Sequence, residues 1–266
     1  MTKDYEARFG GIRRLFGASG QERLRQAHVC VVGIGGVGSW AVEALARTGV
    51  GAITLVDLDD VCISNVNRQL HAVTGEFGKP KVEVMAQRVL AVNPDCQIHA
   101  RYSLFTKTTA DEILATRYDG LLDAIDSPSL KALLIARGRE GGVPVVTTGG
   151  AGGRRDPTAL RVEDMARTTH DALLQATRKV LRAEFGFPRG EKKFGVPCVY
   201  SPEAPVFPAK DGSVCERPDP GNNLRLDCRS GYGTACFVTG AFGFAAAAQV
   251  VKLIVERSPV GEISQR

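Results

Sequence analysis

Apolar residues form short, uninterrupted runs in the first half of the chain, with helical patterns between them. Continuous β-branched runs are typical of buried parallel strands. We predict strands at residues 28–32, 52–56, 97–102, 120–125 and 143–147. Apolar residues at helical spacing predict helices at residues 39–47, about 79–92 and 110–116, and after Pro128. Strands that alternate with helices predict an α/β fold, doubly wound and Rossmann-like, with a mostly parallel sheet.

The pattern weakens on both sides of this core. Residues 1–27 form a predicted helical arm, with a short helix at 21–26. After residue 153 we predict a strand at 158–162 and a basic amphipathic helix at 169–185, followed by a proline-containing loop at 202–229. We therefore expect one domain, residues 1–266. Its parts are the arm (1–27), a nucleotide-binding core (28–153) and a C-terminal extension for substrate and dimer contacts (154–266).

Residues 230–251 carry no charge. Their length alone permits a membrane span. The segment is rich in glycine and alanine and lacks leucine and isoleucine, which suits a helix buried against a sheet. We favour the buried helix and keep membrane association as the alternative.

Composition agrees with one α/β domain, since 266 residues at 44% hydrophobic content supply an ample core. The net charge of +5 is uneven. Residues 1–150 carry 17 basic and 16 acidic side chains, whereas residues 151–266 carry 17 and 13. This excess fits an ordinary solvated surface or a patch that contacts nucleic acid.

The cysteine pattern favours reduced thiols. The N-terminus has charges and no apolar core of a signal peptide, so we expect a cytoplasmic protein. Seven cysteines without a CxxC pair predict neither a disulfide framework nor a structural zinc site. We expect Cys30 and Cys62 to be buried. The candidates for an acyl-accepting thiol show no activating neighbour and are assigned no catalytic role; they are Cys198, Cys215, Cys228 and Cys236.

A glycine turn follows the first predicted strand. Its residues are Gly33, Gly35, Gly36 and Gly38, with Ser39 at the start of the helix. Such a turn lets the backbone approach a phosphate, and the helix start offers free N–H groups to it. Asp57 ends the second strand, 19 residues after Gly38, where a Rossmann fold places the ribose-binding acid. These features predict a nucleotide site.

The segment after Asp57 favours ATP over a dinucleotide. It adds an acid at Asp59, amides at Asn65 and Gln69, and a cation at Arg68. An arginine can fork onto phosphate oxygens, and asparagine can donate to them. Lys81 supplies a second cation 13 residues after Arg68. Two cations suit a triphosphate.

Three segments carry a resemblance to a known family. They are DLDDVCISNVNRQ at residues 57–69, DAIDS at 123–127 and TTGGAGG at 147–153. Together with RFGG at residues 8–11, they resemble the ubiquitin-activating-type (ThiF/MoeB-like) adenylyltransferases. Within that group they are most similar to the bacterial enzymes that dehydrate tRNA threonylcarbamoyladenosine. The resemblance implies that the chain joins a substrate carboxylate to AMP.

The resemblance also implies roles for individual residues. Arg68, Lys81 and Asp126 would be catalytic, and Asp126 would hold the magnesium of ATP. Taken alone, Asp126 at a strand end could also cap the next helix. Arg14 is the candidate for an arginine that reaches the partner subunit's ATP. The implied partners are tRNA, a second copy of the chain and a cysteine-desulfurase sulfur relay.

Two later segments have local interpretations. Residues 149–153, directly after a core strand, predict a loop that faces the substrate, although a spacer would have the same composition. Residues 187–196 combine two aromatic and three cationic side chains, which suits unpaired nucleotides or an ordinary surface loop.

Three other functions stay open. An enzyme that adenylates a small sulfur-carrier protein would share the site, but usually has a catalytic cysteine or a zinc ribbon. A dehydrogenase would share the glycine turn, but has no need of the segment around Arg68. A non-enzymatic module that binds tRNA or a membrane is the third alternative.

Overall fold

The computed structural model describes residues 3–190, 192–209, 211–217 and 232–257. Its helices are α1 (Lys3–Gln26), α2 (Gly36–Arg47), α3 (Lys81–Val92), α4 (Ala110–Leu114), α5 (Pro128–Glu140), α6 (Ala172–Glu184) and α7 (Cys236–Val255). Its strands are β1 (His28–Val32), β2 (Ala52–Asp57), β3 (Gln97–Tyr102), β4 (Gly120–Asp123), β5 (Val145–Thr148), β6 (Arg161–Asp164), β7 (Pro197–Tyr200), β8 (Phe207–Pro208) and β9 (Val214–Cys215).

Seven strands form one sheet in the order β3-β2-β1-β4-β5-β7-β6. All neighbours are parallel except β6, which runs antiparallel to β7 at the edge. Val32 of β1 lies opposite Val56 of β2 on one side and Asp123 of β4 on the other. This register brings the carboxyl ends of the central strands to one edge, where such folds bind ligands.

Helices cover both faces of the sheet, as the uninterrupted apolar strands require. On one face, Val29 and Val31 of β1 pack in a cluster with residues of α2, α3 and α7. On the other face, Cys30 and Val32 pack with residues of α4, α5 and α6. The predicted α/β class and mostly parallel sheet are confirmed.

The uncharged segment contains α7, a helix of the core. Gly243 of α7 allows close approach to α2, because a Cβ there would strike the backbone of Val37 and Ala41. Within the described residues, α7 is the one helix long and apolar enough for a bilayer by length and composition, yet more than half of it is buried inside the fold. The preferred interpretation, a helix buried against the sheet, agrees with this packing.

The structure departs from the predicted elements mainly outside the core. The N-terminal arm consists of two helical stretches within Lys3–Gln26 that meet at a kink at Gly17, where φ is 76°. The strand predicted at 158–162 lies at 161–164, and α6 begins at Ala172. Strand β7 follows the segment 187–196 and had no clear pattern in the sequence. Much of the predicted 202–229 loop lies outside the described residues.

Two predictions about which side chains are buried are wrong. Phe187 and Phe194 are 4% and 6% exposed and stack edge to face with ring centroids 5.1 Å apart. These rings are therefore core residues, and stacking on unpaired nucleotides is not open to them. Cys62 is exposed at the rim of the cleft described below, whereas Cys30 is buried as predicted.

Candidate nucleotide-binding site

A cleft of about 1340 Å³ opens at the carboxyl edge of the sheet. The ends of β1, β2, β4 and β5 line its floor, and the segment 57–69 forms one wall. The rest of its lining comes from residues 149–154, the start of α6 and the residues just before α7. The topology thus gathers into one cleft segments that are far apart in the chain.

The glycine turn is shaped by two close approaches. Gly33 has φ of 91°, and a Cβ there would press on the carbonyl of Ala124. A Cβ at Gly38 would overlap the carbonyl oxygen of Gly33, so only glycine lets α2 begin this close to β1. Gly33, Gly35 and Gly36 line the cleft, whereas Gly38 does not.

Ser39 lies behind the turn rather than on the cleft. Its side chain is fully buried, and its hydroxyl oxygen accepts a hydrogen bond from the backbone N–H of Leu70 over 3.2 Å. The residue therefore ties α2 to the segment that carries Arg68. Ser39 thus supports the cleft wall from behind.

Asp57 stands at the end of β2 and lines the cleft. Its Oδ2 accepts a hydrogen bond from the N–H of Ile34 over 2.6 Å, and its Oδ1 accepts one from the N–H of Asp59 over 2.8 Å. Burial raises the pKa of this carboxyl, and the nearby Lys81 opposes the rise. The carboxylate joins the glycine turn to the second half of the motif and keeps lone pairs for a ligand.

Lys81 begins α3 and points into the cleft region. Its Nζ donates to Asp59 Oδ2 over 2.7 Å, although the lysine side chain is 6% exposed and the Asp59 side chain 73% exposed. The exposed acid thus holds a buried cation near Asp57. The predicted set Asp57, Asp59 and Lys81 is brought together.

Arg68 is held by contacts on both its backbone and its side chain. Its Nη1 donates to the carbonyl of Ser64 over 2.8 Å and to Asn67 Oδ1 over 3.1 Å. Its carbonyl oxygen accepts from Trp40 Nε1 over 3.0 Å and from Thr239 Oγ1 over 3.1 Å. Helices α2 and α7 therefore fix the turn from which the guanidinium reaches the cleft.

Two of the three side-chain amides in the segment 57–69, those of Asn65 and Gln69, are buried in the same wall. Asn65 Oδ1 accepts from the N–H of Cys62 over 3.1 Å, which closes the short turn at residues 62–65. Gln69 is 6% exposed and lines the cleft, and its Oε1 has no hydrogen-bond partner within the described residues. Buried polar atoms are normally paired, so Gln69 offers an acceptor to a bound molecule.

Asp126 is exposed on the loop after β4 and lines the cleft. The residue before α5 is Ser127, and Asp126 makes no cap to that helix. Asp123 steadies the loop, because its Oδ1 accepts from the N–H of Ile125 over 3.1 Å. A free carboxylate on this edge fits the oxygen ligands that Mg²⁺ prefers.

Some features of the site had no signal in the sequence. Trp40 and Thr239 contact Arg68 although both are distant from it in the chain. Arg154 and Tyr232 also line the cleft. The glycines at residues 149, 150 and 152 line it too, where a loop facing the substrate was expected.

Other candidates lie away from the cleft. Arg14 is exposed on α1 and does not line the cleft. Cys198 is buried, and burial raises the pKa of its thiol far above the usual range. Cys228 lies outside the described residues. Within the described ranges, no three metal-binding side chains come together.

The sequence pattern that defines the ThiF family matches residues 11–265. The chain belongs to the ThiF family. Its relatives include the tRNA threonylcarbamoyladenosine dehydratase of Escherichia coli, which is 46% identical over 97% of both chains. The Haemophilus influenzae protein of the same name is 42% identical over 96% of both chains.

A solved structure extends this likeness within the ThiF family. The E. coli dehydratase in complex with ATP superposes with a TM-score of 0.85 at 43% identity, over 95% of this chain and 96% of that one. The expected resemblance to ubiquitin-activating-type adenylyltransferases and the Rossmann-like fold are confirmed.

Proposed function

We propose that this ThiF-family chain catalyses the ATP-dependent dehydration of threonylcarbamoyladenosine next to the tRNA anticodon. The observation that carries the proposal is the match, over nearly the whole of both chains, to dehydratases of that name. The cleft supports it, since it collects a glycine turn, an acid at the end of β2 and two cations. A dehydrogenase has no need of those cations.

In the first step, the threonyl carboxylate attacks the α-phosphorus of ATP and pyrophosphate leaves. The ATP ribose would bind Asp57, and its phosphates would lie along the part of the turn that lines the cleft, at Gly33, Gly35 and Gly36. Arg68 and Lys81 would offset the negative charge that develops on the phosphate oxygens. Asp59 keeps Lys81 in place, and the amides of Asn65 and Gln69 would complete the nucleotide contacts.

Asp126 is the proposed ligand of the magnesium that accompanies ATP. Mg²⁺ in nucleotide sites is commonly held by one or two carboxylates together with the phosphates, so a single exposed carboxylate on the cleft fits it. When bound, the ion would neutralise phosphate charge. We expect no structural zinc.

In the second step, the carbamoyl group of the same substituent attacks the acyl carbon and AMP leaves. A five-membered ring closes, and the oxygen lost from the carboxylate departs with AMP. Both reacting groups belong to one substituent, so proximity supplies most of the acceleration. The step requires no enzyme thiol.

We further propose that the chain works as a cytoplasmic homodimer of single ThiF-type domains. Large exposed side chains on α7 and beside the motif offer an apolar surface for a second copy: Phe237, Phe244, Ile63 and Val66. Arg14, exposed on α1, would then reach the partner subunit's ATP. A cysteine-desulfurase sulfur relay is a proposed further partner, by resemblance alone.

The test is conversion of tRNA that carries linear threonylcarbamoyladenosine. The purified protein is incubated with this tRNA and magnesium-ATP, and the nucleosides are weighed after digestion. We expect a product lighter by one water that forms only with ATP. Pyrophosphate exchange with a carrier protein, and no change in tRNA mass, would instead indicate an adenylyltransferase for a sulfur carrier.

Two variants locate the reaction. Arg68→Ala and Asp126→Ala should abolish conversion and leave thermal unfolding unchanged, because both side chains act at the phosphates. Arg47→Ala is the control, since Arg47 ends α2 far from the glycine turn and pairs with Glu43. Near-normal conversion by either cleft variant would remove the role assigned to that residue.

A further inference from the structure

Arg154 is a buried arginine with hydrogen-bond donors that are only partly paired. The residue is 5% exposed and lines the same cleft as Arg68. Its Nη2 donates to the carbonyl of His170 over 2.8 Å, whereas Nε and Nη1 have no partner within the described residues. An unpaired buried charge is costly, and burial lowers the pKa of this guanidinium.

The two carboxylates nearest to Arg154 are already engaged. Asp171 accepts from the N–H of Gly150 over 2.8 Å and from the N–H of Leu174 over 2.9 Å. Glu203 accepts from the N–H groups of Arg155 and Asp156, each over 3.1 Å. Both acids support the positive charge of Arg154 through space. They stabilise loops and leave the arginine's free N–H groups unbonded.

The residues around Arg154 are held by specific contacts. His170 has φ of 55°, an unusual conformation for a residue other than glycine, and its carbonyl anchors Nη2. Gly152 allows the ring of Tyr232 to lie against the loop, because a Cβ there would meet the Tyr232 side chain. Strained backbone that neighbours hold in place often marks a ligand site.

We propose that Arg154 binds the free carboxylate of the threonyl group before it is adenylated. This proposal rests on the function proposed above and assigns its substrate subsite. A guanidinium forks onto a carboxylate through two nitrogens that share an edge. Nε and Nη1 lie on different edges, so the fork would use one of them together with the second N–H of Nη2. Nε and Nη1 are shielded from solvent, so binding requires the Arg154 side chain to turn toward the cleft.

The cationic residues of the cleft then have separate roles. Arg68 and Lys81 act on the phosphates, and Arg154 holds the nucleophile. The carboxylate loses its charge when the acyl–phosphate bond forms, so Arg154 binds the substrate more strongly than the adenylate. Loss of the arginine therefore weakens tRNA binding more than it lowers the rate at which bound substrate reacts.

The test compares a free acid with its ester. The ligands are an anticodon stem-loop RNA that carries threonylcarbamoyladenosine and the same RNA with that carboxylate as a methyl ester. Binding is measured without ATP, so that the charges of ATP play no part, and the RNA phosphates are the same in both ligands. The natural protein should bind the acid about 10- to 100-fold more tightly than the ester. Arg154→Gln should bind both with the affinity of the ester.

Two further variants keep the test sharp. Arg154→Lys retains the charge without the fork and should show intermediate discrimination, and it replaces the glutamine variant if that variant does not fold. Arg155→Gln changes an exposed neighbour and should behave like the natural protein. Steady-state assays with Arg154→Lys should show a raised KM for tRNA, an unchanged KM for ATP and a kcat within about threefold.

The outcomes separate this proposal from the function on which it rests. Acid-over-ester discrimination that persists in Arg154→Gln, or that is missing from a natural protein which converts tRNA, overturns the role of Arg154 alone. A rise in the KM for ATP in place of the KM for tRNA overturns it too. Failure of the natural protein to convert the modified tRNA overturns the proposed function itself.

Discussion

The indole Nε1 of Trp40 donates a hydrogen bond to the carbonyl oxygen of Arg68 over 3.0 Å. Trp40 belongs to the helix that follows the glycine turn, and Arg68 belongs to the segment that gave the family resemblance. The two halves of the nucleotide motif are therefore joined directly. The ring of Trp40 also packs edge to face on Phe244 of α7, at 5.9 Å between centroids.

Trp40→Phe should slow the reaction with little effect on folding. The change keeps an aromatic ring and removes the donor to the Arg68 carbonyl, a hydrogen bond worth about 1 kcal/mol. We expect kcat to fall about five- to tenfold, with a melting temperature within a few degrees of the natural protein. Phe244→Leu alters the same packing without touching the hydrogen bond and is the control. Equal losses in the two variants would contradict a role for the bond.

Ionised Asp57 should be needed to bind the ribose, which predicts weaker nucleoside binding in acid. Burial raises the pKa of Asp57 and Lys81 opposes the rise, so Lys81→Met should raise that pKa further. The affinity for adenosine, which carries no phosphate, should then fall at a higher pH in the variant. Titrations from pH 4 to pH 8 measure this. Lys79→Met, an exposed neighbour paired with Glu76, should leave the profile unchanged.

His71 should make the fold sensitive to acid. Burial, together with the charge of Lys81, lowers its pKa from 6.5 to about 4, and neither ring nitrogen has a partner within the described residues. Between these pH values the unfolded chain takes up a proton that the folded chain does not, so stability falls as the pH drops. A shift of this size corresponds to at most about 3 kcal/mol, lost between pH 6.5 and pH 4 and fully present above pH 6.5.

The measurement is urea unfolding across that pH range. His71→Leu removes the titrating group without breaking a hydrogen bond, and its unfolding free energy should depend less on pH. His170→Asn changes an exposed histidine on the turn before α6, at a φ of 55° that asparagine also adopts, and should keep the dependence of the natural protein. Parallel curves for the natural protein and His71→Leu would show that other groups cause the acid sensitivity.

Breaking the ion pair between Asp123 and Lys131 on one side should cost far more than breaking a surface pair. Both side chains are fully buried, with Nζ 2.9 Å from Oδ2, and Thr147 donates to the same oxygen over 2.6 Å. Lys131→Met leaves a buried carboxylate without its cation and should cost about 3–5 kcal/mol of unfolding free energy. The double variant Asp123→Asn with Lys131→Met should recover at least half of the loss. Lys79→Met, which breaks an exposed pair, should change stability by less than about 1 kcal/mol.

The nucleotide half of the cleft could be predicted because its signals are local. Gly33 and Gly38 sit in one turn whose conformation demands glycine, and Asp57 ends a strand whose apolar run is continuous. Once neighbouring strands are parallel, their carboxyl ends meet at one edge. Asp126 was placed on the cleft by the same argument, without knowledge of any long-range contact.

The substrate half could not be predicted because its contacts join distant segments. Thr239 reaches Arg68 across 171 positions, and Arg154 depends on a carbonyl from the turn before α6. Phe187 and Phe194 lie in a polar, basic stretch, so composition suggested a surface loop. Tertiary packing decided otherwise, because the guanidinium groups of Arg139 and Arg182 cover these rings at 4.7 and 5.4 Å from their centroids.

Helix α7 is synthesised late, but it supports residues that are synthesised early. A nascent chain that has emerged as far as Tyr200 contains the glycine turn, Asp57, Arg68 and Asp126, yet lacks Thr239 and the apolar face that packs on α2. The Arg68 turn is then held from one side only. A ribosome-bound chain that has not yet released α7 would carry the complete ATP motif without a rigid site, so activation of ATP would await the end of synthesis.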